Sequence, residues 1–264
     1  MNEANLIRVN RRDVAKGAAA ALGGSMVVLG LTAGGGASVA QQASPVASPM
    51  ASPASGATPV DLPDGSGAGV PMFRGNPART GEMPGPGPDP ANGVELLWSF
   101  ATGGSVWSSP AVIDDVVYAG STDSNVYAQD AVSSRVLWRF VTGGSVYSSP
   151  AVVDGVVYIG SSDSNVYALD AATGAERWRF ATGGSVFSSP AVVDGVVYVG
   201  GEDFNVYALD AALGTEVWRF GTDEPVRSSP AVVEGIFYVG GYTSNVYALD
   251  AALGTERWRF ATGG

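Results

Sequence analysis

The chain has 264 residues with no Cys and no His, and a formal net charge of −11 at pH 7. Disulfides, thiolate chemistry, histidine general bases and Cys or His metal ligands are thereby excluded. The negative charge also disfavours nucleic acid and anionic lipid as partners.

In chain order, residues 1–40 read as an export signal. Arg8, Arg11, Arg12 and Lys16 give a basic start, residues 17–36 are weakly apolar and rich in Gly and Ala, and Ser38-Val39-Ala40 forms a small-residue cleavage site. The run Asn10-Arg11-Arg12-Asp13-Val14-Ala15-Lys16 resembles a twin-arginine signal, with Val14-Ala15 where Phe-Leu is usual. By this route or an ordinary secretory one, the chain is expected in the periplasm, at the cell surface or outside the cell. Membrane contact is expected only through an uncleaved signal. Residues 41–70, with Ser44-Pro45, Ser48-Pro49 and Ser52-Pro53 amid Ala and Gly, can bury little and read as a disordered tether. Residues 71–94 form a Pro/Gly-rich lead-in, in which Phe73 is expected to dock on the folded body and 84–90 to act as a stiff spacer.

From residue 95 to 264 one unit recurs every 40 residues. Trp98, Trp138, Trp178, Trp218 and Trp258 mark it, each followed two positions on by Phe, with Ser-Ser-Pro at 108–110, 148–150, 188–190 and 228–230. In residues 142–181, the segments 145–153, 156–160, 165–170 and 176–181 read as four short strands. Asp154-Gly155 is a hairpin signal, and Gly174 can take a positive φ in the last turn. Four antiparallel strands in about 40 residues are one blade of a β-propeller.

The segment Ala168-Leu169-Asp170-Ala171-Ala172-Thr173-Gly174-Ala175-Glu176-Arg177-Trp178 resembles the tryptophan-docking motif of the pyrroloquinoline-quinone-type propellers. The family includes quinoprotein dehydrogenases and a lipoprotein that assists outer-membrane protein assembly. The resemblance extends to Asp210, Gly214 and Trp218 and to Asp250, Gly254 and Trp258, with Leu213 and Leu253 in place of Thr; the first copy keeps Asp130 and Trp138 but has Ser133-Ser134. It implies an all-β propeller in which Trp138, Trp178, Trp218 and Trp258, with Gly174, Gly214 and Gly254, dock one blade on the next. Relatives usually have seven or eight blades. Four complete blades and one N-terminal strand are expected here, so the chain reads as an incomplete propeller. An open arc that self-associates through its edge, and a strained small closed propeller, are the other readings.

Departures from the repeat mark where function can be sought. The residue before Ser-Ser-Pro changes from Trp107 to Tyr147, Phe187 and Arg227; Gly-Gly of the inter-blade loop becomes Asp223-Glu224; and the second turn gains Glu202, Phe204 and Tyr242. These nine residues form the candidate surface for a protein or peptide partner; the competing reading packs the aromatic series between blades. The Asp-Ser-Asn turns lack the glycine and terminal Glu of a calcium loop, and no metal ligand, catalytic residue or cofactor-binding residue is assigned. The reading is therefore a non-catalytic exported scaffold. The alternatives are a fragment of a quinoprotein dehydrogenase, for which the resemblance implies a Cys pair this chain lacks, and a structural cell-surface repeat protein. The quinone belongs only to the dehydrogenase alternative.

Overall fold

The computed structural model describes residues 6–10, 19–22, 25–30, 72–74, 76–79, 95–242 and 244–263. The twin-arginine run beyond Asn10, the cleavage site, the tether 41–70, the spacer 84–90 and Thr243 lie outside them. The described chain is all-β, with four blades of four antiparallel strands each in simple sequential order. We number them blade 1 (111–141), blade 2 (151–181), blade 3 (191–221) and blade 4 (231–261).

In blade 2 the strands are Ala151–Val153, Val156–Gly160, Asn165–Asp170 and Glu176–Ala181, from the inner edge outward. Every residue of Val156–Gly160 is buried, because both faces of the sheet are covered by neighbouring blades. The outer strand alternates instead: Trp178 is buried, whereas Arg177 and Arg179 are exposed and charge the free edge against further pairing. At the hairpin Asp154 has φ 50° and Gly155 φ 71°. Both values are positive, as a two-residue type I′ turn requires. A register shift opposite Ala168/Leu169, repeated in every blade, sets Trp178 against Ala168.

No blade carries a core of its own. One apolar cluster joins Ala111, Tyr118 and Trp138 of blade 1 to Val157, Ile159 and Leu169 of blade 2. Corresponding clusters join blades 2 and 3, and blades 3 and 4. Each blade is thus stabilised by its neighbours, as in other repeat architectures. The Ser-Ser-Pro segments add a polar ladder with the same step. The amide of Ser109 donates to Ser149 Oγ (2.8 Å), that of Ser149 to Ser189 Oγ (2.9 Å), and that of Ser189 to Ser229 Oγ (3.0 Å). These hydroxyls are structural acceptors.

Tryptophan fastens the boundaries. Nε1 of Trp98, Trp138, Trp178 and Trp218 donates to the carbonyls of Ala131, Ala171, Ala211 and Ala251 at 2.8–2.9 Å. Gly174 lies beneath Trp138 with φ 73°; a Cβ there would meet the indole at 2.6 Å, so only glycine serves both turn and contact. Gly214 and Gly254 stand likewise under Trp178 and Trp218. Trp258 has no such seat among the described residues and is 46% exposed.

Glu95–Ala101 seats Trp98 on blade 1, and its other side is taken by strands from the first 30 residues. Ser25–Gly30 runs antiparallel to it, Leu6–Asn10 parallel to Ser25–Gly30, and Ala19–Leu22 antiparallel to Leu6–Asn10. This mixed sheet differs in strand order and direction from the 40-residue units. No helix among the described residues is long and apolar enough to cross a membrane.

The lead-in is anchored by Met72 and Arg79. Met72 is buried in the cluster between blades 2 and 3. Arg79, 8% exposed, donates to the carbonyls of Phe73, Ser189, Pro190 and Pro230, while Val232 N donates to Pro77 O at 2.9 Å. Half-buried Phe73 covers the guanidinium, 5.3 Å from the ring centroid. Burial, with Arg74 nearby, pushes the Arg79 pKa down to about 10, which leaves it charged at neutral pH.

Candidate functional site

The inter-blade loops and the turns between second and third strands lie at the same end of the blades. Backbone amides fix this: Thr122 donates to Ser105 O, Ser162 to Ser145 O, Glu202 to Ser185 O and Tyr242 to Pro225 O, at 2.8–2.9 Å. The first three blades also carry an Asp at the turn. Asp163 accepts the Gly143 amide (2.6 Å) and the Tyr167 hydroxyl (2.6 Å) through Oδ2, and the Asn165 amide through Oδ1 (3.0 Å). Burial alone would raise its pKa, but the hydrogen bonds from Tyr167, Gly143, Asn165 and Ser161 outweigh it and hold the carboxyl below the ordinary value. Asp123 is held down in the same way, and burial plus the bond to Asp pushes Tyr127 and Tyr167 up to about 12.

On this platform the residues before Ser-Ser-Pro come together into one series. Trp107 and Tyr147 have ring centroids 6.5 Å apart, and Tyr147 meets Phe187 edge-on at 5.1 Å. The Arg227 guanidinium continues the series, 5.3 Å from the Phe187 centroid and 4.6 Å from that of Tyr242, and pairs with Glu202. Trp107 is 71% exposed, Tyr242 61% and Tyr147 37%, so much of the series faces solvent. An apolar strip of this kind, closed by an Arg, has the composition of an interface core.

Phe204 is 49% exposed but is not in ring contact with the series. It occupies the left-handed region with φ 65°, where blades 1 and 2 have Ser124 (67°) and Ser164 (68°). For a bulky residue this backbone is strained, and such strain concentrates at functional positions.

Two of the expected surface residues are held by hydrogen bonds to blade 4. Glu224 is only 6% exposed; its Oε1 accepts the amides of Ser244 and Asn245, both at 3.1 Å. Asp223 is exposed and accepts from Arg259 Nη1 (2.6 Å) and the Tyr247 hydroxyl (3.4 Å). The physical reason lies at position 243, where Thr replaces the turn Asp of the other blades. Glu224 and Asp223 divide the work of that missing carboxylate between them. Their departure from Gly-Gly is structural compensation.

Sequence reasoning also missed a set of tyrosines. The hydroxyls of Tyr118, Tyr158 and Tyr198 donate to the carbonyls of Ala171, Ala211 and Ala251 at 3.1–3.2 Å, beside the tryptophan bonds. Their exact 40-residue recurrence is the available signal, but a strand tyrosine reads equally well as core.

A quinone seat requires convergent polar side chains with free valences. Along the inner edges of blades 3 and 4, the buried Arg79 makes four hydrogen bonds, all to backbone carbonyls. No cluster of three or more acidic side chains converges among the described residues.

Known proteins share the architecture. No curated protein matches the chain. Among solved structures, BamB from Moraxella catarrhalis is similar at 21% identity and TM-score 0.56, over 62% of this chain and 52% of that one. A europium-containing methanol dehydrogenase matches at 19% and 0.63, over 73% and 48%. Quinohemoprotein alcohol dehydrogenase from Comamonas testosteroni matches at 22% and 0.52, over 59% and 35%. The chain thus spans about half or less of each of these proteins, and the similarity shows the fold alone. At the level of sequence, the family model described as outer membrane protein assembly factor BamB matches residues 89–202 and again 162–264. These matches take in all four blades, and the chain belongs to that family of quinoprotein-like propeller repeats.

Proposed function

We propose that the chain is an exported, non-catalytic propeller scaffold that binds a protein or peptide partner through its inter-blade loop face. The carrying observation is the largely exposed series Trp107–Tyr147–Phe187–Arg227, assembled at four blades on a face where the repeats diverge. Blade packing already has its own aromatics, Trp138 and Tyr118 and their repeats, so these rings are surplus to it. The strained Phe204 on a neighbouring turn agrees with this reading. Family membership supports a role in assembling other proteins, and the basic, Gly/Ala-rich leader supports export.

Replacing Trp107, Tyr147 and Phe187 by Ser in the full chain tests the reading. The variant should keep its melting temperature and lose the peptides that the parent enriches from a random display library. Loss of folding instead would assign the series to packing and overturn the proposal.

A second reading, part of a quinoprotein dehydrogenase, draws on the fold shared with methanol dehydrogenase. Stoichiometric quinone uptake followed by absorbance would favour it over the scaffold.

A further inference from the structure

The Trp107–Arg227 series contains its own example of a filled position. Arg227 lies between the rings of Phe187 and Tyr242, with the Glu202 carboxylate on its guanidinium. Two aromatic faces and a carboxylate make a complete arginine seat: the ring quadrupoles attract the cation, and the carboxylate accepts its N–H groups.

The other end of the series has rings but no cation among the described residues. Trp107 is 71% exposed and has Tyr147 on one side. In the 40-residue register, the places taken by Glu202 and Tyr242 beside Arg227 are held in blades 1 and 2 by Thr122 and Ser162. Their short side chains leave the adjoining ring edges uncovered. Indole is also the best aromatic acceptor of a cation, so the most exposed ring has the strongest attraction for one.

Charge selects the same ligand. The chain carries a net −11, which draws basic segments toward it and repels acidic ones. Guanidinium is preferred to ammonium here because it is planar, stacks on rings and is weakly hydrated.

We propose that Trp107 and Tyr147 receive an arginine side chain from a partner peptide on their exposed ring faces, without the carboxylate that Glu202 supplies to Arg227. This rests on the reading of the loop face as a peptide-binding surface and names the chemistry it selects.

The test uses the full chain and a fluorescent Gly-Arg-Gly-Arg-Gly peptide at physiological salt, with citrulline, Lys and Leu versions beside it. The arginine peptide should bind, and the citrulline version should bind about fivefold more weakly or worse. Trp107→Leu should weaken the arginine peptide by a similar factor. Arg227→Ser vacates the filled seat and should add a second equivalent of bound arginine peptide, a gain that misfolding cannot produce. Equal binding of Arg and Lys peptides, unaffected by Trp107→Leu, would reduce the effect to net charge and overturn the inference. Trp107-dependent binding of the Leu peptide alone would overturn the arginine chemistry while leaving the peptide surface standing. No binding by any of the four, with Trp107→Leu silent, would remove both.

Discussion

The indole Nε1 of Trp138 donates to the carbonyl of Ala171 at 2.8 Å, across the boundary between blades 1 and 2. The same oxygen accepts the Tyr118 hydroxyl at 3.2 Å, so both of its lone pairs are used by the preceding blade. This double clasp, repeated at Ala211 and Ala251, fixes the angle at which each blade meets the next.

Truncating these tryptophans should therefore give unequal results. Trp138→Ala or Trp178→Ala removes a buried indole from a packed boundary and should cost about 3–5 kcal/mol. Trp138→Phe keeps much of the apolar area, loses the hydrogen bond and should cost about 1–2 kcal/mol. Trp258→Ala, at a site already 46% exposed, should cost under about 0.5 kcal/mol. Urea denaturation of the four variants checks the order.

The Asp223-Glu224 pair gives a test by exchange. Glu224→Ala leaves the amides of Ser244 and Asn245 without their acceptor and should cost about 1–3 kcal/mol. Asp223→Gly and Glu224→Gly combined with Thr243→Asp rebuilds the turn of the other blades and should recover most of that loss. The strong non-additivity, read by denaturation and by amide exchange at residues 244 and 245, is the signature of one shared role.

Gln129 is fully buried, and neither amide atom has a partner among the described residues. Blades 2, 3 and 4 have Leu169, Leu209 and Leu249 at this position. Gln129→Leu removes an unpaired polar group and should stabilise the chain by about 1–3 kcal/mol, raising the denaturation midpoint without changing its slope.

Stability should fall at both extremes of pH. Asp123 and Asp163 have folded-state pKa values below the ordinary 3.8, the bonds from Tyr127, Tyr167 and the loop amides outweighing burial. Their contribution is present above 3.8 and is lost as pH drops through the lower folded values. Tyr127 and Tyr167 are raised from 10.0 to about 12, by burial first and then by Asp. Their contribution is present below 10 and is lost between 10 and about 12. Thermal melts across pH should show both declines, and Asp163→Asn should flatten the acid one.

Much of this architecture was legible because repetition multiplies weak signals. A single Asp-Gly suggests a hairpin; Asp154-Gly155, Asp194-Gly195 and Glu234-Gly235 at one spacing define a strand boundary. The aromatic series was visible for the same reason. Compensation was not legible, because Glu224 answers a substitution 19 residues later, and only the fold places the two positions in one turn. Arg79 was equally opaque: an arginine in a Pro/Gly-rich segment reads as solvated, yet carbonyl oxygens from two blades surround it.

That arginine also sets an order on folding. Blades contact their immediate neighbours, so their assembly can proceed locally along the chain. Arg79 and Pro230, by contrast, are 151 residues apart, and loop closure over such a distance is slow. During synthesis the lead-in leaves the ribosome before any of the four blades but cannot be seated until the inner edge of blade 4 has appeared. A segment made ahead of every blade is thus among the last to find its place.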